Sequence, residues 1–220
     1  MNFRQRSERL ISKGLSTAKA NSLADLHRRR AQTHSQYFTP VWVAKGIWHS
    51  LSRIVENAKS KDQSLSVIDS NCGNGRLFEG APENASLFGL DTDSRCIDAL
   101  ILDAKSSDVN SNFQTGCISD LEYSDFHLAT INPAYSILIE SPNLSYFDTN
   151  SFGRFGPFKS ATSHEYALAQ ALSGASVVAA VLPQSAEHFA RSFKRLSAIV
   201  ELPQNTFLHE GANVKTAVYF

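Results

Sequence analysis

Few cysteines, no net charge and no long apolar run mark this chain, and each shortage removes a class of protein. The three cysteines, Cys72, Cys96 and Cys117, are odd in number and lack CxxC spacing. That excludes a disulfide framework and a zinc site; they read as free thiols in a reducing cytoplasm, with no metal expected. No apolar run approaches the roughly eighteen residues of a membrane span. The N-terminus is polar and basic with no apolar signal core, which argues against export. No internal repeat or low-complexity segment is present. Gly-Lys-Ser/Thr is also missing, so no glycine-rich stretch here is a phosphate cradle.

What is present is enough for one domain with an appendage. A chain of 220 residues buries roughly 70% of its unfolded surface, which is a substantial core. The neutral total hides an asymmetry. Residues 1–36 carry eight Lys/Arg against two Asp/Glu. Such a basic end either sits on phosphates or is a solvated helix face or a poorly ordered tail. The boundaries read as a basic helical extension over 1–36 and a catalytic-sized domain over 37–220.

Beyond the extension, strands and helices alternate. Thr39 is expected to cap a helix with Pro40 in its first position, and Val43, Ile47, Leu51 and Ile54 recur at helical spacing. Strands are expected at Leu65 to Ile68, Ser86 to Leu90, around Phe113, Phe126 to Ile131, Val177 to Leu182, Ala198 to Leu202 and Val214 to Phe220. Helices are expected at Ser94 to Ala104, 164–173 and Gln184 to Arg195. This order implies an α/β, doubly wound, mostly parallel seven-stranded sheet. Residues 136–163 break the rhythm. A loop that long is a binding loop, a lid or a disordered segment. Its Phe152–Phe158 stretch mixes aromatics, an arginine and glycines, which suits either contact with a nucleic-acid strand or a surface covering.

Two motifs carry chemistry. Asp69-Ser-Asn-Cys-Gly-Asn-Gly75 closes the first strand, where an open α/β sheet binds its ligands. Gly73 and Gly75 can take positive φ and bring backbone N–H groups close to a ligand. Gly89-Leu-Asp91 ends the second strand with a carboxylate able to accept from both hydroxyls of a ribose. Asp120 follows the third strand, in register to accept from an adenine amine; otherwise it is a turn aspartate. An adenosine without a pyrophosphate fits this set. The second motif is Asn132-Pro-Ala-Tyr135. The Asn132 side-chain oxygen and the Pro133 carbonyl offer two acceptors for the two hydrogens of an aromatic amine. Held that way, the nitrogen is drawn toward tetrahedral geometry and its lone pair is freed, by preorganised dipoles and without a strong base. Tyr135 would stack on the ring.

Tyr37-Phe-Thr-Pro40, Asp69–Gly75, Gly89-Leu-Asp91, Ile118-Ser-Asp120 and Asn132–Tyr135 stand in one order that resembles the N6-adenine DNA methyltransferases, in the arrangement of type I modification subunits and fused restriction-modification enzymes. Val178–Pro183, Val200–Pro203 and Val214–Val218 are similar to that family's closing strands. The resemblance implies a Rossmann-like methyltransferase with S-adenosylmethionine as cofactor. Tyr37, Thr39 and Pro40 would meet the cofactor, with Thr39-Pro40 at its methionine end. Asp69, Cys72, Gly73, Asn74 and Gly75 would wrap it. Asp91 would hold the ribose, and Asp120 with the Leu121 N–H the adenine. Asn132 and Pro133 would bind the amine of a flipped base, with Tyr135 against its face; flipping costs a few kcal/mol.

Ala134 stands where the family usually has a second proline, and Ser70 where it often has one. The family reads sequence through a separate domain, so recognition is expected from a missing domain or a partner subunit. Two other readings share these residues. Glutamine N-methyltransferases acting on release factors use the same Asn-Pro-x-Tyr device, though not the preceding Thr-Pro segment. A catalytically inactive interaction module would keep the fold alone. Cytosine-C5 chemistry needs a Pro-Cys step, and no cysteine here follows a proline.

Overall fold

In the computed structural model, residues 37–107, 109–121, 125–139, 161–210 and 212–220 are described. The basic extension and the Phe152–Phe158 stretch lie outside them. Nine strands are present among the described residues: β1 (Ser66–Asp69), β2 (Ser86–Asp91), β3 (Ser111–Thr115), β4 (Phe126–Ile131), β5 (Leu138–Ile139), β6 (Ala161–Thr162), β7 (Ala175–Pro183), β8 (Ile199–Glu201) and β9 (Thr216–Tyr219). The helices are α1 (Val41–Ser50), α2 (Ser52–Ser60), α3 (Ser94–Ser106), α4 (Ser163–Gly174) and α5 (Glu187–Arg191).

Seven strands form one sheet in the order β3-β2-β1-β4-β7-β9-β8, and β5 pairs with β6 separately. β1 is parallel to β2 and β4, β2 to β3, and β4 to β7. β9 runs antiparallel to both β7 and β8. The doubly wound, mostly parallel sheet of seven strands is therefore the one the alternation implies. Its central strands are apolar on both faces, as strands sandwiched between helices must be. Ile68, Ala129, Ile131, Val178, Ala180 and Leu182 pack on one side with α4 and α5. Val67, Leu128, Ala179 and Val181 pack on the other with α1. The chain leaves β1 toward β2 and β3, then returns to β4 on the opposite side. That reversal opens a crevice at the carboxyl ends of β1 and β4.

Three local expectations need correction. Pro40, not Thr39, is the N-cap of α1, and its carbonyl accepts from Val43 and Ala44 N–H. Thr39 is turned inward instead and is 3% exposed. The single helical run expected from Val43 to Ile54 is broken at Leu51 into α1 and α2. The helix expected over Gln184 to Arg195 is a 3₁₀ turn, Gln184–Ala186, followed by the short α5. Gly75 is followed by one 3₁₀ turn, Arg76–Phe78.

Candidate functional site

The crevice at the switch point is a cleft of about 260 Å³, near the lower bound of roughly 300 Å³ for small-molecule sites. Its wall is built from the segment before α1, the ends of β1, β2 and β4, and the turn after β3. Of the residues expected from sequence, Tyr37, Thr39, Asp69, Cys72, Gly73, Asn74, Asp91, Asn132, Pro133 and Tyr135 line it. Pro40, Gly75, Asp120 and Leu121 do not.

The loop after β1 is held by its own backbone. Asn71 N–H donates to Asp69 Oδ1 at 3.0 Å, Cys72 N–H to the Leu90 carbonyl at 2.9 Å, and Gly75 N–H to the Cys72 carbonyl at 2.7 Å. Gly73 N–H donates to Asp91 Oδ2 at 2.8 Å, and Asp93 N–H to Asp91 Oδ1 at 2.9 Å. Asp91 thereby ties the loop after β1 to the turn after β2. The two glycines, alike in sequence, do different work. Gly73 has φ +49°, and a Cβ there would lie 3.0 Å from the Phe38 ring, inside the cleft. Gly75 has φ +72°, and a Cβ there would lie 2.4 Å from Leu100 Cδ2 of α3. Gly75 thus serves loop-to-helix packing, and its N–H is spent within the loop.

Asn132 is fixed by residues far away in sequence. Its Nδ2 donates to the Tyr37 carbonyl at 2.9 Å and to Thr39 Oγ1 at 3.0 Å. A backbone carbonyl only accepts, so the amide nitrogen must face Tyr37, and Oδ1 must face the other way. Oδ1 accepts from the Tyr135 hydroxyl at 3.0 Å. That hydroxyl also lies 3.4 Å from the Val181 carbonyl. Tyr135 is therefore tucked in by its hydroxyl, and one lone pair of Oδ1 remains for another donor.

The first residues of α4 hold the loop that follows. The Ser163 hydroxyl donates to the Ala134 carbonyl, and Ser163 N–H donates to the Ile137 carbonyl at 2.7 Å. Ser136, at φ +60°, donates its N–H to His164 Nδ1 at 3.1 Å. The His164 ring meets Tyr135 edge-on, with centroids 6.1 Å apart. Further along α4, Gln170 Nε2 donates to the Ile118 and Leu121 carbonyls at 2.9 and 2.8 Å. This pins the turn after β3. Ile118 faces the cleft, while Asp120 is exposed and accepts from the Ser119 hydroxyl. Leu121 N–H donates to the Ile118 carbonyl at 3.3 Å.

Burial sets the charges. Asp69 is 1% exposed. Desolvation raises its pKa well above the ordinary carboxylate range, opposed by the Asn71 N–H and reinforced by nearby Asp91. The Cys72 thiol is likewise pushed well up, by burial and then by Asp69 and Asp91, so it stays protonated and is no nucleophile. Burial also raises the Tyr135 hydroxyl, with Tyr219 adding to the effect, and keeps it a donor. Among the described residues no cluster of His, Cys, Asp and Glu is arranged to hold a metal, and no helix is long and apolar enough to cross a membrane.

Several contributors were not read from the sequence. Phe38 lies inside the Tyr37–Pro40 motif and lines the cleft. Arg76, next to Gly75, lines the cleft, and its charge directly after the loop was the available signal. Ser163 and His164 reach the site across about thirty residues of chain with no periodic pattern, so spacing offered no clue to them.

No family model matches the sequence, and no curated protein is similar to it. Solved structures are. A type I restriction-modification methyltransferase subunit from Streptococcus thermophilus matches with a TM-score of 0.66 at 18% identity, over 91% of this chain and 48% of its own. A putative class I S-adenosylmethionine-dependent methyltransferase from Listeria monocytogenes gives 0.60 at 14%, over 91% and 66%. A putative RNA methyltransferase from Pyrococcus horikoshii gives 0.54 at 16%, over 84% and 85%. The chain spans about half the length of the Streptococcus subunit. At these identities the likeness establishes architecture, and the architecture is the Rossmann-like fold of methyltransferases.

Proposed function

We propose that this chain is the catalytic core of an S-adenosylmethionine-dependent methyltransferase acting on the N6 amine of adenine in DNA. A further domain or a separate subunit would supply target recognition. The observation that carries the reading is the fixed amide of Asn132. Its oxygen is presented beside Pro133 at the switch-point cleft, with its nitrogen locked away by Tyr37 and Thr39.

The cleft fits the cofactor. Asn74 Oδ1 is a buried acceptor without a partner, which is costly unless a ligand donor meets it. The Asp91 carboxylate lines the same wall and would accept from ribose hydroxyls. A cationic ligand group beside Asp69 would offset the desolvation that raises its pKa. When bound, S-adenosylmethionine supplies an electrophilic methyl group on a sulfonium. Asn132 Oδ1 and the Pro133 carbonyl take the two hydrogens of the target amine, which frees its lone pair. The Tyr135 hydroxyl occupies the other lone pair of Oδ1 and polarises it little, being a neutral donor. The Ser163 and His164 contacts hold the loop that carries these groups. The DNA assignment draws on the order of motifs and on the likeness to the Streptococcus subunit.

The test is incubation with methyl-labelled cofactor and mixed-sequence DNA, with RNA and release factor in parallel, followed by nucleoside analysis. Labelled N6-methyladenine from DNA is expected, and none from Asn132→Ala. Label confined to RNA or to protein overturns the DNA assignment. Undiminished turnover by Asn132→Ala overturns the role of that amide.

A further inference from the structure

Arg76 is the one cation among the described residues of the cleft wall, and nothing above gives it work. It opens the 3₁₀ turn after Gly75, and its side chain is only 10% exposed. Nη1 donates to Glu79 Oε1, while Nε is buried without a partner. Glu79 is far more exposed, at 36%. The guanidinium is thus more desolvated than its counter-ion, and one carboxylate oxygen answers only part of its five N–H donors. A charge taken out of water needs more compensation than that. A turn residue serving only to pair with Glu79 would not need to form part of a ligand cleft.

The other charged groups on that wall are Asp69 and Asp91. An anionic ligand group entering beside the Asp91 carboxylate is repelled unless a cation receives it. A zwitterionic amino acid needs both signs close together, and this wall provides both. We propose that Arg76 receives the carboxylate of the amino-acid end of S-adenosylmethionine, making it a cofactor-binding residue. The proposal rests on the cofactor reading above. Arginine suits the task because its planar fork matches a carboxylate and its charge is permanent.

Calorimetry with two ligands tests this without turnover. S-Adenosylhomocysteine keeps the amino-acid end, and 5′-deoxy-5′-methylthioadenosine lacks it. Arg76→Gln should weaken S-adenosylhomocysteine on the order of tenfold or more, the worth of a charge-assisted hydrogen bond, and leave methylthioadenosine unchanged. Arg76→Lys should recover part of the loss, and guards against a Gln variant that fails to fold. Equal losses for both ligands, or no loss for either, overturn the role of Arg76 and leave the cofactor reading standing. Wild-type protein that binds neither ligand overturns the cofactor reading and the role of Arg76 together.

Discussion

Asp69 shows what burial does to one carboxyl group. It ends β1 with the Asn71 N–H donating to it, in a wall shared with Asp91. Its pKa is raised in the folded chain, so between the ordinary value near 3.9 and the raised one the native state binds more protons than the unfolded state. Stability then falls as pH rises through that window. Asp69→Asn removes the charge and keeps the shape. In the ligand-free protein its stabilising effect should be negligible near pH 4 and should grow toward neutrality, in urea titrations run across that range. A difference that does not change with pH would show that the carboxylate is adequately solvated or paired. The same residue was legible in sequence as part of a loop closing a strand, because strand ends in such sheets are where ligands sit. The division of labour between Gly73 and Gly75 was not legible. It depends on Phe38 and Leu100, and no local rule says which distant side chain will lie against a glycine. Arg76 was missed for a related reason: a charge beside a loop reads as solvated until the fold buries it.

Helix α4 is where local signals and tertiary consequences part. Its start was expected within a residue. The Glu165 carboxylate accepting the Thr162 N–H and hydroxyl makes it a well-closed N-terminus. That the same turn would clamp the Asn132–Ser136 loop needed the fold. The clamp has a pH dependence that can be worked out. His164 accepts the Ser136 N–H through Nδ1, so it acts neutral, with Tyr135, Thr162 and Glu165 around it. Desolvation lowers its pKa, against the pull of Glu165. The native state therefore binds fewer protons than the unfolded state below the ordinary histidine value near 6.5. The contribution to stability is present above that value and is lost as pH falls through the folded pKa. Protonation turns Nδ1 into a donor and breaks the bond to Ser136, which leaves that residue at positive φ without its support. Methyl transfer should show an acid limb below about pH 6.5 in kcat more than in cofactor affinity. His164→Gln accepts without titrating and should flatten that limb while lowering activity by a modest factor, on the order of tenfold or less for one repositioned hydrogen bond. An acid limb unchanged in the variant assigns it to another group.

The sheet as a unit was the most legible part, because alternation of apolar runs with helical periodicity fixes strand count, and crossover handedness then limits how the strands can be ordered. The antiparallel β9, inserted between β7 and β8, is not written in its own residues; it follows from the return path. The consequence is thermodynamic. The cleft lies between the β3-β2-β1 half and the β4-β7-β9-β8 half, and its wall takes Asp69 and Asp91 from the first and Asn132 from the second. A ligand there contacts both halves, and none of that cleft exists in the unfolded chain. Binding should therefore stabilise the cooperative fold by mass action, by about 2.7 kcal/mol when the ligand is at a hundred times its Kd. For a domain of this length each kcal/mol is worth roughly 2–4 °C in Tm. S-Adenosylhomocysteine should raise a single calorimetric transition by about 5–10 °C at that concentration, rising further with the logarithm of its concentration. Two transitions, only one of them moving, would mean that the halves unfold separately and that the ligand bridges nothing.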